Sequence, residues 1–283
     1  MRSFGIMQGR LTPSKGRGIQ FFPFENWRQE FDIGASVGID EIEWIFDYER
    51  YEENPLWSTK GITQVNEAVK SSGVSIHSIC FDYFMRRPFY KQESSVEKRI
   101  RMENLDFIKK IINAMKSVQA KLLEIPMVDD SSVKTAEEKK KVVDFLHDVL
   151  ILAEEADICI GCETDMSVGV FRDFLDSIHH ERIKANYDSG NSSGLGYDHA
   201  DELHSLGDYV ANVHIKDRIL HGTTVALGTG SADFKKVFSS LKDIDYKGSI
   251  ILQAARGQEG DEAENIRTQL DFVKEYCRRY GLE

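Results

Sequence analysis

Glu163, Asp188, His214 and Gln253 are the residues whose types and spacing are best suited to chemistry. Two carboxylates, an imidazole and an amide oxygen make a donor set for a borderline-to-hard divalent cation such as Mn²⁺, Mg²⁺, Co²⁺ or Zn²⁺. A cation held this way polarises a carbonyl or hydroxyl and steadies the negative charge left when a neighbouring proton departs. Successive members lie about one strand-plus-helix unit apart, roughly 31 residues when about 250 are shared among eight units. The four then fall at the ends of four successive strands and converge on one side of a barrel mouth. A lone histidine is more often a satisfied hydrogen-bonding residue, so the argument rests on the joint spacing.

Eight apolar runs supply the strands: Phe4–Gln8, Asp40–Trp44, Val74–Ile79, Lys121–Met127, Ile158–Glu163, Ile183–Asp188, Tyr209–Ile215 and Ser249–Gln253. Between them apolar residues recur at helical steps, as in Val142, Val143, Leu146, Val149 and Leu150 after the capping-box pair Thr135 and Glu138. Strands alternating with helices imply parallel βαβ units, and eight such units close a barrel. The chain therefore reads as α/β, a (β/α)₈ TIM barrel in one domain spanning residues 1–283. A doubly wound open sheet would want G-x-G-x-x-G after the first strand, and MQGRLTPSKGRG lacks it. Seven strand runs carry a polar residue at or near the C-terminal end, namely Glu43, His77, Glu124, Glu163, Asp188, His214 and Gln253. Alternation then turns neighbours such as Leu123, Ile125, Ile250 and Leu252 toward the helices. The top face of such a barrel is where catalysis sits.

The composition narrows the partners. A net charge of −11 opposes a sequence-independent grip on nucleic-acid backbones. No apolar run approaches the roughly 20 residues needed to cross a bilayer. The start, MRSFGIMQGRL, lacks the apolar core of a signal peptide, and the four cysteines are scattered, so a cytoplasmic protein is expected. Cys159 and Cys162 sit three apart on one strand, point to opposite faces, and cannot share a metal.

The segments GCETD, NYDSGN, NVHIKDR, LGTGSADF and ILQAARG resemble the xylose-isomerase-like TIM barrels across nearly the whole chain, most strongly from Glu163 onward. That family includes sugar and sugar-phosphate isomerases, keto-sugar 3-epimerases, inosose dehydratases and, more distantly, endonuclease IV. The resemblance implies that Glu163, Asp188 and His214 bind one metal ion and that Glu163 also serves as an acid or base. Two positions depart from the family pattern. Gln253 stands where most members have a glutamate that is ligand and second base; an amide can ligate but cannot take a proton near neutral pH. Asn191 stands where epimerases often carry a histidine.

Lys216 shares the inward direction of His214 and can polarise a carbonyl or pair with a neighbouring carboxylate. His77 and Glu124 are candidates for the base that Gln253 no longer supplies. Arg10, Asn191, Arg218 and Arg256 are expected to contact substrate, and Gly228–Ser231 offers amides for an anion such as a phosphate. The aromatic loop CFDYFMRRPFYK and the first loop, with Arg10, Lys15 and Arg17, are long enough to cover the site. The expected function is divalent-metal-dependent isomerisation of a sugar or sugar phosphate by proton transfer next to a carbonyl. A dehydratase or 3-epimerase on a polyol or keto-sugar is the nearest rival, followed by a sugar-binding pseudoenzyme. An endonuclease IV-like nuclease would need a basic groove and more than eight histidines. The partner is a small sugar-like molecule, with neither nucleic acid nor membrane; a homo-oligomer is compatible with the sequence.

Overall fold

A computed structural model describes residues 2–282. Eight parallel strands close a barrel: β1 (Phe4–Met7), β2 (Glu41–Ile45), β3 (Ser78–Cys80), β4 (Leu122–Met127), β5 (Cys159–Thr164), β6 (Ile183–Asp188), β7 (Val210–Ile215) and β8 (Ile250–Leu252). β1 pairs with both β2 and β8, which leaves the barrel no free edge. Among the described residues the α-helices are α1 (Trp27–Val37), α2 (Thr59–Ser72), the single turn α3 (Tyr83–Arg86), α4 (Ser94–Val118), α5 (Ala136–Ala156), α6 (Val168–Ile178), α7 (Ser189–Leu195), α8 (His199–Leu206), α9 (Phe234–Asp243) and α10 (Glu262–Tyr280). The chain is a single-domain (β/α)₈ TIM barrel. None of its described helices is long and apolar enough to cross a membrane.

Apolar side chains facing outward from the strands meet the inner faces of the helices. Leu123, Ile125, Ile250 and Leu252 are fully buried in that layer, alongside Ile108 and Ile111 of α4 and Phe145 and Val149 of α5. α5 begins with the expected capping box, the Thr135 hydroxyl accepting from the Glu138 N–H while the Glu138 carboxylate accepts from the Thr135 N–H. Cys159 is half-buried and Cys162 buried, and neither is in a disulfide.

One strand begins later than its pattern suggests. The run from Val74 was expected to be strand through Ile79, but the ladder starts at Ser78, and Ser75 makes only an isolated bridge to Glu41. Ser78 and Cys80 therefore face inward. His77 falls at the N-terminal rim, where Glu41 is its charged neighbour.

Two local features position the later strands. β7 carries one extra residue, because Ala185 pairs with Val210 whereas Asn186 pairs with Asn212. This bulge brings Asp188 opposite His214. α7 then approaches β7 so closely that a Cβ on Gly190 would lie 2.4 Å from Lys216 Cγ and 2.8 Å from its Cβ. Glycine is thus required for the Lys216 stem to lie under the helix. Gly190→Ala is expected to lower stability by about 1 to 3 kcal/mol through overpacking, read as a fall in the denaturant midpoint with an unchanged m-value.

Candidate active site

The inward residues of β2 and β4–β7 build a polar cluster around one imidazole. His214 is fully buried, and its Nε2 lies 2.6 Å from Glu43 Oε1. Glu43 is fixed in turn by the Ser78 hydroxyl and the Asn212 amide, each donating to Oε2 at 2.6 Å. On the other side of the ring, Nδ1 lies 4.0 Å from Glu163 Oε2 and 3.9 Å from Asp188 Oδ2. The Asn186 amide stands 3.2 Å from both Glu163 Oε2 and His214 Nδ1. Burial alone would lower the His214 pKa, but Glu43, Glu163 and Asp188 outweigh it and push the value up to about 9.

Asp188 serves two elements at once. Its Oδ1 accepts from the Gly190 and Asn191 N–H groups at 2.7 and 2.8 Å and so caps α7. Its Oδ2 faces the cluster and accepts from Lys216 Nζ at 3.2 Å. Lys216 also donates to Gln253 Oε1 at 3.2 Å and Asn191 Oδ1 at 3.3 Å. Asn191 in turn donates to Glu163 Oε1.

Above this floor opens a cavity of about 660 Å³, lined by Gln20, Asp82, Glu163, Asn191, Lys216 and Gln253 and rimmed by Arg86 and Arg218. That volume suits a small polar ligand. The residues fit a divalent ion in type and spacing. Glu163, Asp188 and His214 offer donor atoms within 4.8 Å of one another, and Glu43 on Nε2 leaves the Nδ1 lone pair for a metal. Gln253 Oε1 shares the Lys216 ammonium with Asp188 Oδ2. Lys216 donates to Asp188 Oδ2 and Gln253 Oε1, the atoms a cation would use, so an entering cation must displace its ammonium.

Several expected site residues lie elsewhere or are otherwise engaged. His77 is at the opposite end of the barrel. Glu124 is fully buried beneath the cavity floor and does not line it. Burial first, then Glu43 and Glu163, hold its carboxyl well above the usual range. Among the described residues no N–H or O–H reaches its oxygens, so no hydrogen bond favours the ionised form. Arg256 donates to the carbonyls of Gly9, Thr12 and Ile19, and Arg10 to those of Ile19 and Ala254. Both arginines are staples of the first loop rather than ligand contacts. The amides of Gly228, Gly230 and Ala232 all point at the buried Asp217 carboxylate, which leaves that loop no place for an anion. In the aromatic loop, Phe84, Phe89 and Tyr90 are buried around Phe145, while Tyr83 stacks on Phe107. Of that segment Cys80, Asp82, Met85 and Arg86 reach the cavity. Arg218 lines the cavity and donates to Asn191 Oδ1 at 3.3 Å.

Sequence reasoning missed Asn186, Asn212, Gln20 and Asp82. The two asparagines stand two residues before Asp188 and His214, and that period-two step was a usable signal. Gln20 and Asp82 come from loops and gave none.

The xylose isomerase-like TIM barrel family model matches residues 31–276, and the chain belongs to that family. L-ribulose-5-phosphate 3-epimerase UlaE of Escherichia coli (strain K12) is 22% identical over 267 residues, covering 91% of this chain and 92% of that protein. A xylose isomerase domain protein from Planctomyces limnophilus superposes with a TM-score of 0.78 at 14% identity, covering 100% of both chains. D-allulose 3-epimerase from Methylomonas sp., solved with D-allulose, gives 0.75 at 17% identity and covers 97% of each. These structural likenesses show the shared fold.

Because Arg256 serves the loop, Arg256→Ala is expected to cost about 1 to 3 kcal/mol of stability and to leave any preference for a phosphorylated over an unphosphorylated sugar unchanged. Thermal melts and paired binding isotherms check both halves.

Proposed function

We propose that the chain is a divalent-metal-dependent isomerase or epimerase of a sugar or sugar phosphate, acting by proton transfer next to a carbonyl. The observation that carries this reading is the convergence of donor atoms of Glu163, Asp188 and His214 within 4.8 Å of one another, with Glu163 lining the cavity. The epimerases among its relatives and structural neighbours support it. Free cysteines suit a reducing cytoplasm.

Glu163, Asp188, His214 and the oxygen of Gln253 would hold the metal, whether Mn, Zn, Co or Mg. When bound, the ion supplies Lewis acidity toward a carbonyl and the adjacent hydroxyl. Glu163 faces the cavity from β5, and its carboxylate is the group placed to take the carbon-bound proton. Asn191 holds Glu163 and Lys216 in one arrangement, so the base and a cation arrive together. The three donors of Lys216 go to Asp188, Asn191 and Gln253, so a substrate oxygen would take the place of one of these acceptors. For a phosphorylated sugar, Arg86 and Arg218 at the rim are the cationic groups within reach of the cavity.

Protein purified without chelator is expected to carry about one divalent ion per chain, and Asp188→Asn to carry much less. Elemental analysis showing no metal, with no thermal shift on adding Mn²⁺ or Zn²⁺, would sink the metal assignment. Glu163→Gln keeps the shape but removes the base, and turnover of the best ketose in a panel is expected to fall by about 10² to 10⁴-fold. Steady-state kinetics on the purified variant checks it; activity near wild type would place the base elsewhere.

A further inference from the structure

Inverting a carbon next to a carbonyl requires a proton to leave one face and another to arrive at the opposite face. Glu163 accounts for one. The eighth-strand amide cannot carry the other, Glu124 is sealed beneath the floor, and His77 is at the wrong end of the barrel. Asp47, Asp129 and Asp130 also border the cavity. Asp47 is hydrogen-bonded within its own loop, to the Tyr48 N–H at 2.7 Å, and among the described residues has no link toward Gln253, while Asp129 and Asp130 are exposed to solvent. The remaining carboxyl is Asp82, in the loop after β3.

We propose that Asp82 is the second proton-transfer residue of this site, an assignment that rests on the isomerase–epimerase reading above. Its two oxygens are held by different elements. Gln20 Nε2, from the first loop, donates to Oδ2 at 2.8 Å, and the Cys80 thiol donates to Oδ1 at 3.2 Å. The carboxyl still opens onto the cavity that Glu163 lines from β5, so the two acids approach a ligand from different elements, one from β5 and one from the loop after β3.

A hydrogen-bonded arc ties Asp82 to the opposite charge. Lys216 donates to Gln253 Oε1 at 3.2 Å, Gln253 Nε2 donates to Gln20 Oε1 at 3.1 Å, and Gln20 Nε2 donates to Asp82. Each amide has its oxygen toward the ammonium and its nitrogen toward the carboxyl. A glutamate at position 253 would set an acceptor against Gln20 Oε1 and break the chain. The amide at 253 and the carboxyl at 82 therefore belong to one arrangement, in which the proton-carrying group has moved from β8 to the β3 loop. The surroundings suit such a group. Burial, then Asp47 and Glu163, outweigh the Gln20 and Cys80 hydrogen bonds and push the Asp82 pKa up to about 6, with Arg10 nearby as the opposing charge.

The step balances as follows. The Glu163 carboxylate takes the proton from the carbon beside the carbonyl. The C–H electron pair becomes the new C=C bond, and the former carbonyl oxygen takes the negative charge beside Lys216. The Asp82 carboxylic acid then gives its proton to the opposite face, and the oxygen's electrons restore C=O. Glu163 ends protonated and Asp82 ionised; exchange with water through the open mouth, or the reverse reaction, resets them.

The test follows incorporation of solvent deuterium by NMR into L-ribulose 5-phosphate and D-allulose, and into the C3 epimer of each. Wild type, Asp82→Asn, Glu163→Gln and Asp82→Glu are compared with metal added. Asp82→Asn is expected to slow epimer formation by about 100-fold or more while one epimer still exchanges its hydrogen through Glu163. Glu163→Gln should show the mirror pattern, exchange surviving only in the other epimer, and Asp82→Glu should recover part of the rate. Epimerisation by Asp82→Asn within a few-fold of wild type overturns the assignment. So does equal loss of exchange from both epimers, which would make Asp82 only a positioning residue. Failure of the parent reading looks different: wild type exchanging no epimer of either ketose overturns both.

Discussion

Four carboxyl groups crowd one imidazole inside this barrel, and the rest of the site is arranged to make that charge tolerable. Glu43, Glu124, Glu163 and Asp188 all lie within 4.0 Å of His214 nitrogens, with almost no exposure to water. Buried anions at such spacing cannot all remain charged and uncompensated. Three devices offset them. Burial and the neighbouring Glu43 and Glu163 favour the protonated form of Glu124. His214 is drawn toward the imidazolium form by the carboxylates around it. Lys216 brings its ammonium under α7 to Asp188. A divalent ion would do the same work, its two charges replacing the imidazolium proton and the ammonium together. The cluster is thus a cation-seeking cavity floor, and the hydrogen-bonding asparagines at 186, 191 and 212 keep its members from rearranging to relieve the repulsion.

The same balance explains why so much of the site could be read from residue order. A barrel places each strand end on a common ring, so Glu163, Asp188 and His214 needed only correct strands to be brought together. Ile183–Asp188 was legible to the residue because its alternation is uninterrupted. The third strand was not. Val74 and Ile76 set one phase and Ile79 the other, and only the later phase is compatible with Ser78 reaching Glu43. That shift took His77 out of the site.

The arginines failed for a different reason. A guanidinium near a strand end can meet a ligand or a loop's carbonyls, and residue type does not separate the two. Arg10 and Arg256 are spent on a first loop whose path depends on Glu30, buried in α1, accepting from the amides of Gly9 and Leu11 and from Thr12. No local pattern carries that long-range arrangement. Asp217 likewise turned an anion-binding sequence inward by supplying the anion itself. Gln20 and Asp82 lie in loops set by the same kind of contact, so their meeting with Gln253 became visible only in three dimensions.

The bulge at Ala211 has a consequence for how this scaffold can vary in length. Its extra residue gives β7 slack, and its carbonyl meets the Tyr246 hydroxyl at 3.4 Å. Loss of one residue between Val210 and Val213 could be absorbed by straightening the strand, with Asp188 still opposite His214. The same loss in β5 or β6 has no slack to draw on and would turn Glu163 or Asp188 out toward the helices. Insertions and deletions in descendants of this chain should therefore be unevenly distributed, tolerated in the strand that carries the histidine and excluded from the two that carry the acids.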